Sequence, residues 1–254
     1  MTAALKTPVE AIRALTGAEA KRVAETEYRQ LVELISTFGV EDWKRSTDCP
    51  GWDVDTMLRH LLGAMQANAS IRENVHQLRA GNRWAKQHSA SVTDGLTAIQ
   101  VLERQTLGPD RLGPAITDSW RRALRGRFMV PGPIGRLVRI PAETPAGKES
   151  WTLGFLLDVI YTRDTWMHRI DLSRAVGRPV HTTADHDGRI IADVVADWSR
   201  RHRQPFTLQL TGPAGGTFTA ASGGPPVTLD AIEFARTVSG REQGHGLLAT
   251  QVPF

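Results

Sequence analysis

Apolar residues recur at helical spacing through most of the first 180 residues of the chain. In residues 8–38 and again from about 54 to 79 they stand three and four positions apart, which places them on one face of a helix. The segment 91–127 is less regular and predicts one or two helices interrupted by LGPDRLGP. Residues 128–150 are rich in proline and glycine and are interpreted as a long loop. A further clear helix is predicted from about 152 to 176, with Thr152 as its N-cap, so this part of the chain is expected to form a helical bundle.

The pattern changes after residue 180. The segment ADHDGRIIADVVADWSRRHR predicts one more amphipathic helix, and PFTLQL and TFTAAS, separated by a glycine-rich turn, predict a β-hairpin. PVTLD predicts a short strand, and DAIEFARTVSG a final helix that ends at Gly240. The chain is therefore interpreted as mainly α, with a helical bundle over 1–180 and a small α+β domain over 181–254.

Composition places the chain among soluble globular proteins. Of its 254 residues 41% are hydrophobic and 23% are charged, and the absence of a long apolar run predicts no transmembrane helix. The N-terminal segment MTAALKTPVEAIRALTG is amphipathic and lacks the apolar core of a signal peptide, which predicts a cytoplasmic protein. The single cysteine, Cys49, excludes an intramolecular disulfide and fits a reducing compartment.

The net charge of +4 comes partly from two arginine-rich stretches, WRRALRGR and SRRHRQ. Aromatic residues do not interleave with the arginines as in a single-strand binder, so both stretches are interpreted as solvated helix faces. Nucleic-acid binding stays open as an alternative, and it would show itself as strongly salt-dependent association. The expected partners are small molecules rather than nucleic acid or membrane, and either a monomer or a homodimer is compatible with the sequence.

One face of the predicted helix 152–176 changes character halfway along its length. Seven of its positions point within about 40° of one direction at 100° per residue, and they carry Leu, Leu, Ile, Asp, His, Asp and Ala at 153, 157, 160, 164, 168, 171 and 175. A face that begins apolar is expected to continue into the interior, where charged groups need partners. Asp164 and His168 lie one turn apart and can reach a single metal ion. The alternative is that both pair with nearby arginines of the same helix at the surface.

A second histidine, His60, lies at the edge of the apolar face of the helix that follows CPGWD. Such a histidine is compatible with a purely structural role, but in an antiparallel bundle it can project toward Asp164 and His168. Two histidines and one carboxylate, with a fourth position open, are typical of a catalytic divalent-metal site. Asp171 is predicted to hold the His168 imidazole in one tautomer, with an arginine salt bridge as the alternative. Cys49 is interpreted as a buried structural thiol.

Three stretches of the chain carry a family resemblance. CPGWDVDTMLRHLLG resembles the CPGWTVRDVLAHL segment of the mycothiol-dependent maleylpyruvate isomerase-like proteins, which belong to the DinB-like superfamily of four-helix metalloproteins. RDTWMHRIDLSRAVGRP resembles their second signature, in which a carboxylate stands four residues before a histidine, and FARTVSGRE resembles the end of their C-terminal domain. The resemblance spans most of the chain and implies a DinB-like four-helix bundle followed by a small α+β domain.

The resemblance also implies a set of site residues. A divalent metal, usually zinc, would be held by His60, Asp164 and His168, with Asp164 standing where the well-studied isomerase has a glutamate. Arg241 matches a Gly-Arg pair near which the family places an active-site arginine, and it is predicted to be catalytic.

The implied function is an enzyme whose cosubstrate is a low-molecular-weight thiol, mycothiol. Its metal-bound thiolate would attack a small electrophilic substrate, which is then isomerised or S-conjugated. The alternative function is a non-catalytic divalent-metal-binding module of the same fold, since a fold does not determine an activity.

Overall fold

The computed structural model describes residues 6–144, 146–221, 223–224 and 226–254. Residues 1–5, Pro145, Ser222 and Pro225, over which the predicted helical unit, loop and hairpin extend, lie outside the described part of the chain. The helices and strands are, in chain order, β1 (Lys6–Pro8), α1 (Gly17–Ile35), α2 (Val54–Ala69), α3 (Ile71–His88), α4 (Val92–Leu102), α5 (Pro109–Arg127), α6 (Gly132–Leu137), β2 (Arg139–Thr144), β3 (Gly147–Thr152), α7 (Leu153–Phe155), α8 (Tyr161–Ala175), α9 (Asp187–His202), β4 (Phe206–Thr211), β5 (Gly216–Ala220), β6 (Pro226–Asp230) and α10 (Ala231–Val238). Within the described ranges, every helix is too short or too polar to traverse a lipid bilayer.

Helices α1, α2, α5 and α8 form a four-helix bundle. Helix α2 packs on α5 and α1 packs on α8, and contacts of α1 with α5 and of α2 with α8 close the bundle. Buried side chains from all four helices fill its centre, among them Leu31, Met57, Ile116 and Leu172. The predicted mainly α fold with an N-terminal bundle is therefore confirmed. Helices α3 and α4 pack against each other and against the outside of α2.

Two of the predicted helices have different bounds in the structure. The predicted helix over 8–38 begins only at Gly17. Its predicted start is occupied by the end of β1 and by a short 3-10 helix over Val9–Ala11. The predicted helix 54–79 is two helices that meet at Ser70, whose backbone is extended (φ −148°, ψ 121°). The Ser70 hydroxyl accepts a hydrogen bond from the backbone N–H of Glu73 at 3.3 Å, and thereby caps the start of α3.

The interpretation of 128–150 as a long loop is wrong. This segment contains α6 and the two-stranded sheet of β2 and β3. Its prolines and glycines delimit these elements: Pro131 directly precedes α6, and Gly147 begins β3 with a φ of +112°. Likewise most of LGPDRLGP lies inside α5, where Pro109 occupies the first helical position.

The predicted continuous helix 152–176 is interrupted near its start. Thr152 caps it as predicted, since its hydroxyl accepts from the Phe155 N–H at 3.0 Å. Residues 156–160 then form a π-helical turn between α7 and α8, and Arg127 Nε donates to the carbonyl of Leu157 at 3.0 Å. A π turn contains one more residue than an α turn, so the α-helical phase on which the predicted row depends is lost before Asp164. Leu157 is accordingly only half-buried, whereas His168 is buried.

The C-terminal unit is built on a four-stranded sheet in the order β1-β5-β4-β6. The predicted hairpin is present as the antiparallel pair β4 and β5, and β6 lies parallel to β4. Asp230 caps α10 by accepting from the Ile232 N–H at 2.8 Å. The chain passes into this unit between Val180 and His181, but residues 6–15, which the sequence suggested for the helical unit, also belong here and supply β1.

Candidate metal centre

Helix α2 presents His60 to the interior of the bundle. The helix begins at its N-cap Asp53, whose carboxylate accepts from the Thr56 N–H at 2.8 Å. His60 follows two turns later and is 9% exposed. Its Nδ1 lies 2.8 Å from Gln100 Oε1, while its buried Nε2 has no hydrogen-bond partner among the described residues and lies 3.7 Å from Asp164 Oδ2.

Helix α8 supplies the other side of the same site. Asp164 Oδ1 lies 3.3 Å from His168 Nε2, one turn further along the helix. His168 Nδ1 lies 3.2 Å from Asp171 Oδ2, and Asp171 is fully buried. Both imidazoles therefore have Nδ1 held by a side-chain oxygen and Nε2 directed toward Asp164. The structure thus brings His60, Asp164 and His168 together and places Asp171 behind His168.

These side chains fit a divalent cation. One atom from each of His60, Asp164 and His168 lies within 4.8 Å of the other two. Two imidazole nitrogens and a carboxylate oxygen suit zinc and related cations, and three protein ligands leave a coordination position for a fourth group. The buried Nε2 of His60 also supports a cation at this site, because a buried polar atom without a hydrogen-bond partner is costly unless something binds it.

The charges of the site are strongly coupled. Burial alone would raise the pKa of the Asp164 carboxyl, but the charge and hydrogen bond of His168, assisted by His60, hold that pKa well below its ordinary value. Burial alone would lower the pKa of the His168 imidazole, but Asp164 raises it well above its ordinary value, and Asp171 and Cys49 add to the effect. Both shifts favour the ionised Asp164 carboxylate and the protonated His168 imidazole, and a cation bound here would take the place of the His168 proton.

Two residues of the CPGW stretch line the site beyond what the sequence predicted. The Trp52 ring lies 5.4 Å from the His60 ring and 6.1 Å from the His168 ring, and it is nearly parallel to the latter, at 23°. Cys49, interpreted as a buried structural thiol, is half-buried, and its Sγ lies 3.7 Å from Asp171 Oδ2. Their place just before the helix that carries His60 was the signal that could have identified them.

Gln100 was missed by sequence reasoning altogether. It lies on α4, 40 positions from His60, and nothing in its sequence surroundings distinguishes it from a solvated glutamine. Its role becomes visible only because the packing of α4 against α2 brings its amide to the imidazole.

Two of the three arginines of α8 that are alternative partners of Asp164 and His168, Arg163, Arg169 and Arg174, form ion pairs with other carboxylates. Arg169 forms a buried ion pair with Glu27, with nitrogen–oxygen distances of 2.7 and 3.2 Å. Arg174 pairs with Asp48 at 2.7 Å.

Arg241 lies in the C-terminal unit, just after α10. Its backbone N–H donates to the carbonyl of Arg236 at 2.9 Å and thereby closes the helix, after Gly240 with a φ of +85°. The catalytic role implied for its side chain stays a prediction.

The chain was compared with known protein families and structures. The family model of the mycothiol maleylpyruvate isomerase N-terminal domain matches residues 24–173. The crystal structure of the mycothiol-dependent maleylpyruvate isomerase is similar over 93% of this chain and 90% of that one, with a TM-score of 0.57 and 17% identity. A histidine-to-alanine mutant of that enzyme gives the same coverage and identity with a TM-score of 0.56. No curated protein sequence matches the chain. At this identity the structures establish a shared fold, and the match to more than half of the chain establishes the family: this protein belongs to the mycothiol maleylpyruvate isomerase N-terminal domain family.

Proposed function

We propose that this protein is a metal-dependent enzyme that uses a low-molecular-weight thiol to isomerise or S-conjugate a small electrophilic substrate. The observation that carries the proposal is the convergence of His60, Asp164 and His168 around the buried, unpartnered Nε2 of His60. Membership of a family named for a mycothiol-dependent isomerase supports mycothiol as the thiol.

The residues of the site suit this chemistry in their charge as well as their geometry. A divalent cation held by these three residues would supply the positive charge that deprotonates a thiol near neutral pH. Two neutral imidazoles and one carboxylate carry a single negative charge, so they do not cancel the charge of a dication, and an anionic sulfur is still attracted. Zinc is the proposed metal, because imidazole and carboxylate are among its usual ligands.

The thiolate would act as a nucleophile toward an electrophilic carbon. In an isomerisation, the thiolate would add to one carbon of a carbon–carbon double bond conjugated to a carbonyl, and the π electrons would move to the carbonyl oxygen as an enolate. The former double bond would rotate as a single bond, and the enolate would re-form the double bond and expel the thiolate. In a conjugation, the carbon–sulfur bond would be kept, and either the enolate would take up a proton or a leaving group such as chloride would depart. The chain's own part would be to hold the sulfur beside the substrate, with the ring of Trp52 packed against both histidines on one side.

Metal content tests the assigned ligands. We expect the purified protein to contain about one equivalent of divalent ion, and we expect His60→Ala and His168→Ala to lose it, because removing one of three ligands weakens a metal site strongly. His88→Ala is the matched control, since His88 is exposed on α3 and stacks on Trp84. Equal metal content in all four proteins, measured by plasma emission spectrometry, would refute the site.

Thiol turnover then separates the enzyme from a non-catalytic module. The metal-loaded protein is incubated with mycothiol and either maleylpyruvate or a panel of electrophiles that includes chlorinated aromatics. Isomerisation or conjugation that disappears in His60→Ala supports the proposal. A metal-loaded protein that leaves the whole panel unchanged would instead be a binding module.

A further inference from the structure

A buried chain of side-chain amides leads away from the candidate metal centre. Gln100 Oε1 lies 2.8 Å from His60 Nδ1, and Gln100 Nε2 lies 3.1 Å from Gln77 Oε1. Gln77 in turn donates through Nε2 to the carbonyl of Gly63 at 3.0 Å and to the carboxylate of Glu73 at 2.8 Å. Gln77 and Gln100 are 1% and 8% exposed, so water does not compete freely for these bonds.

The far end of this chain determines its direction. A carbonyl and a carboxylate only accept hydrogen bonds, so the Gln77 group that faces both must be its NH2. Arg104, which is buried, donates to Glu73 at 3.0 Å and holds this carboxylate in its ionised form. Gln77 Oε1 must then face Gln100, and an oxygen there requires the NH2 of Gln100.

The same reasoning reaches the histidine. With its NH2 turned to Gln77, Gln100 presents only its oxygen to His60, and an oxygen at 2.8 Å requires a proton on Nδ1. A neutral imidazole with its proton on Nδ1 has a bare lone pair on Nε2, which is the nitrogen that lies 3.7 Å from Asp164.

We infer that Gln77 and Gln100 are positioning residues that hold His60 in the Nδ1–H tautomer and so keep its Nε2 available as a metal ligand. Gln77 acts without touching the histidine, because it determines which end of the Gln100 amide His60 meets. The role of this arrangement in metal binding rests on the proposed function, whereas the assignment of the His60 tautomer follows from the hydrogen bonds alone.

Gly63 makes the arrangement sterically feasible. A Cβ at this position would lie 2.6 Å from Gln100 Cβ and 2.7 Å from its Cγ, so only glycine lets Gln100 approach α2 this closely. The carbonyl of Gly63 is also one of the two acceptors that orient Gln77. Gly63 thus leaves room for Gln100 beside α2 and also accepts one of the hydrogen bonds that orient Gln77.

Nitrogen-15 NMR of the metal-free protein tests the tautomer directly. At about pH 8.5, two units above the ordinary histidine pKa of about 6.5, the shifts and two-bond couplings of an imidazole distinguish its protonated nitrogen from its bare one. His60→Asn identifies the His60 signals among the eight histidines of the chain. We expect a proton on Nδ1 in the wild type. A proton on Nε2 would overturn the inference, whatever the protein binds.

Two variants test whether Gln77 and Gln100 together set the tautomer of His60, an arrangement called here the amide relay. Gln100→Met removes the acceptor, and Gln77→Met leaves the acceptor but removes the group that orients it. We expect both to shift His60 toward the Nε2–H tautomer, and Gln100→Met to shift it further. Gln87→Met, an exposed position on the same helix as Gln77, is the matched control and should leave the tautomer unchanged. A wild-type tautomer in Gln77→Met would overturn the relay.

Zinc affinity, measured by competition between the protein and a chromogenic chelator for the metal, gives an independent readout. Loss of a residue that orients a ligating histidine typically weakens binding about 10–100-fold, and we expect such a loss for Gln100→Met, with Gln77→Met between it and the wild type. Wild-type affinity in both variants would overturn the inference. A wild type with the Nδ1–H tautomer that binds no zinc would instead refute the proposed function and leave the tautomer assignment standing.

Discussion

Replacing Gly63 with alanine would place a methyl group in the path of Gln100. The added carbon would lie 2.6 Å from Gln100 Cβ and 3.0 Å from its Cα, whereas carbons in contact are separated by about 3.5–4.0 Å. The Gln100 atoms near the backbone must therefore move away by about 1 Å. Helices α2 and α4 must separate, or Gln100 must change its rotamer.

The displacement of Gln100 sets the size of two effects. A displacement of about 1 Å lengthens the 2.8 Å contact between Gln100 and His60 beyond the range of a hydrogen bond. Overpacking costs about 1–3 kcal/mol, and the better helix propensity of alanine offsets up to about 1 kcal/mol of that. We expect the free energy of unfolding to fall by about 0–3 kcal/mol, and zinc affinity to fall by about 10–100-fold because His60 is no longer oriented.

Urea unfolding of the metal-free protein and chelator competition measure the two effects separately. Gly113→Ala is the matched control, because an added Cβ there would meet Ile35 and Trp43 at 3.6 and 3.8 Å, which is ordinary contact. It should stabilise the protein by up to about 1 kcal/mol and leave zinc affinity unchanged. If Gly63→Ala were as stable as Gly113→Ala and bound zinc as tightly as the wild type, the reasoning from the close approach would be refuted.

Three further predictions concern other parts of the molecule. Asp171→Asn should weaken zinc binding about 10–100-fold in chelator competition, because an amide can turn its NH2 toward His168 Nδ1 and so favour a proton on Nε2. Arg169→Met should lower the free energy of urea unfolding by about 3–5 kcal/mol, because it removes a buried ion pair with Glu27, whose carboxylate is 1% exposed. Burial lowers the pKa of His202 in the folded protein, so the unfolded chain binds more protons. The free energy of unfolding should therefore fall as the pH falls below about 6.5 and level off below the lowered pKa of the folded state. His202→Gln should flatten this part of the urea-unfolding profile.

Each of these predictions has a result that would contradict it. Unchanged zinc affinity in Asp171→Asn would remove the orienting role of that carboxylate. A double Glu27→Met, Arg169→Met variant should be less destabilised than the two single variants suggest by addition, and strict additivity would show that the two charges do not stabilise each other. A stability profile that keeps its slope between about pH 7.5 and 5.5 after His202→Gln would assign that slope to other groups.

Much of the helical architecture followed from the spacing of apolar residues, which is a local property of the chain. The bundle and the hairpin of β4 and β5 were predicted on this basis and are present, as is the predicted cap at Thr152. Two of the errors arose where the backbone changes locally within a helical pattern: Ser70 divides one predicted helix into two, and the π turn before α8 breaks the phase of another. The pairing of β1 with β5 could not be inferred, because the two strands are more than 200 positions apart.

The candidate site divides in the same way. The sequence alone indicated Asp164 and His168, because two residues four positions apart on a helix lie on one face wherever that helix packs. It also indicated His60, through the CPGW stretch that precedes its helix, and Asp171, through its position close to His168 on the same helix face. Only the tertiary structure decided which group meets Nδ1 of His60: Gln100 reaches it from a helix 40 positions away, because α4 packs on α2 where Gly63 leaves room. Periodicity determines the face on which a side chain lies, but the partner across that face is determined by how the helices pack.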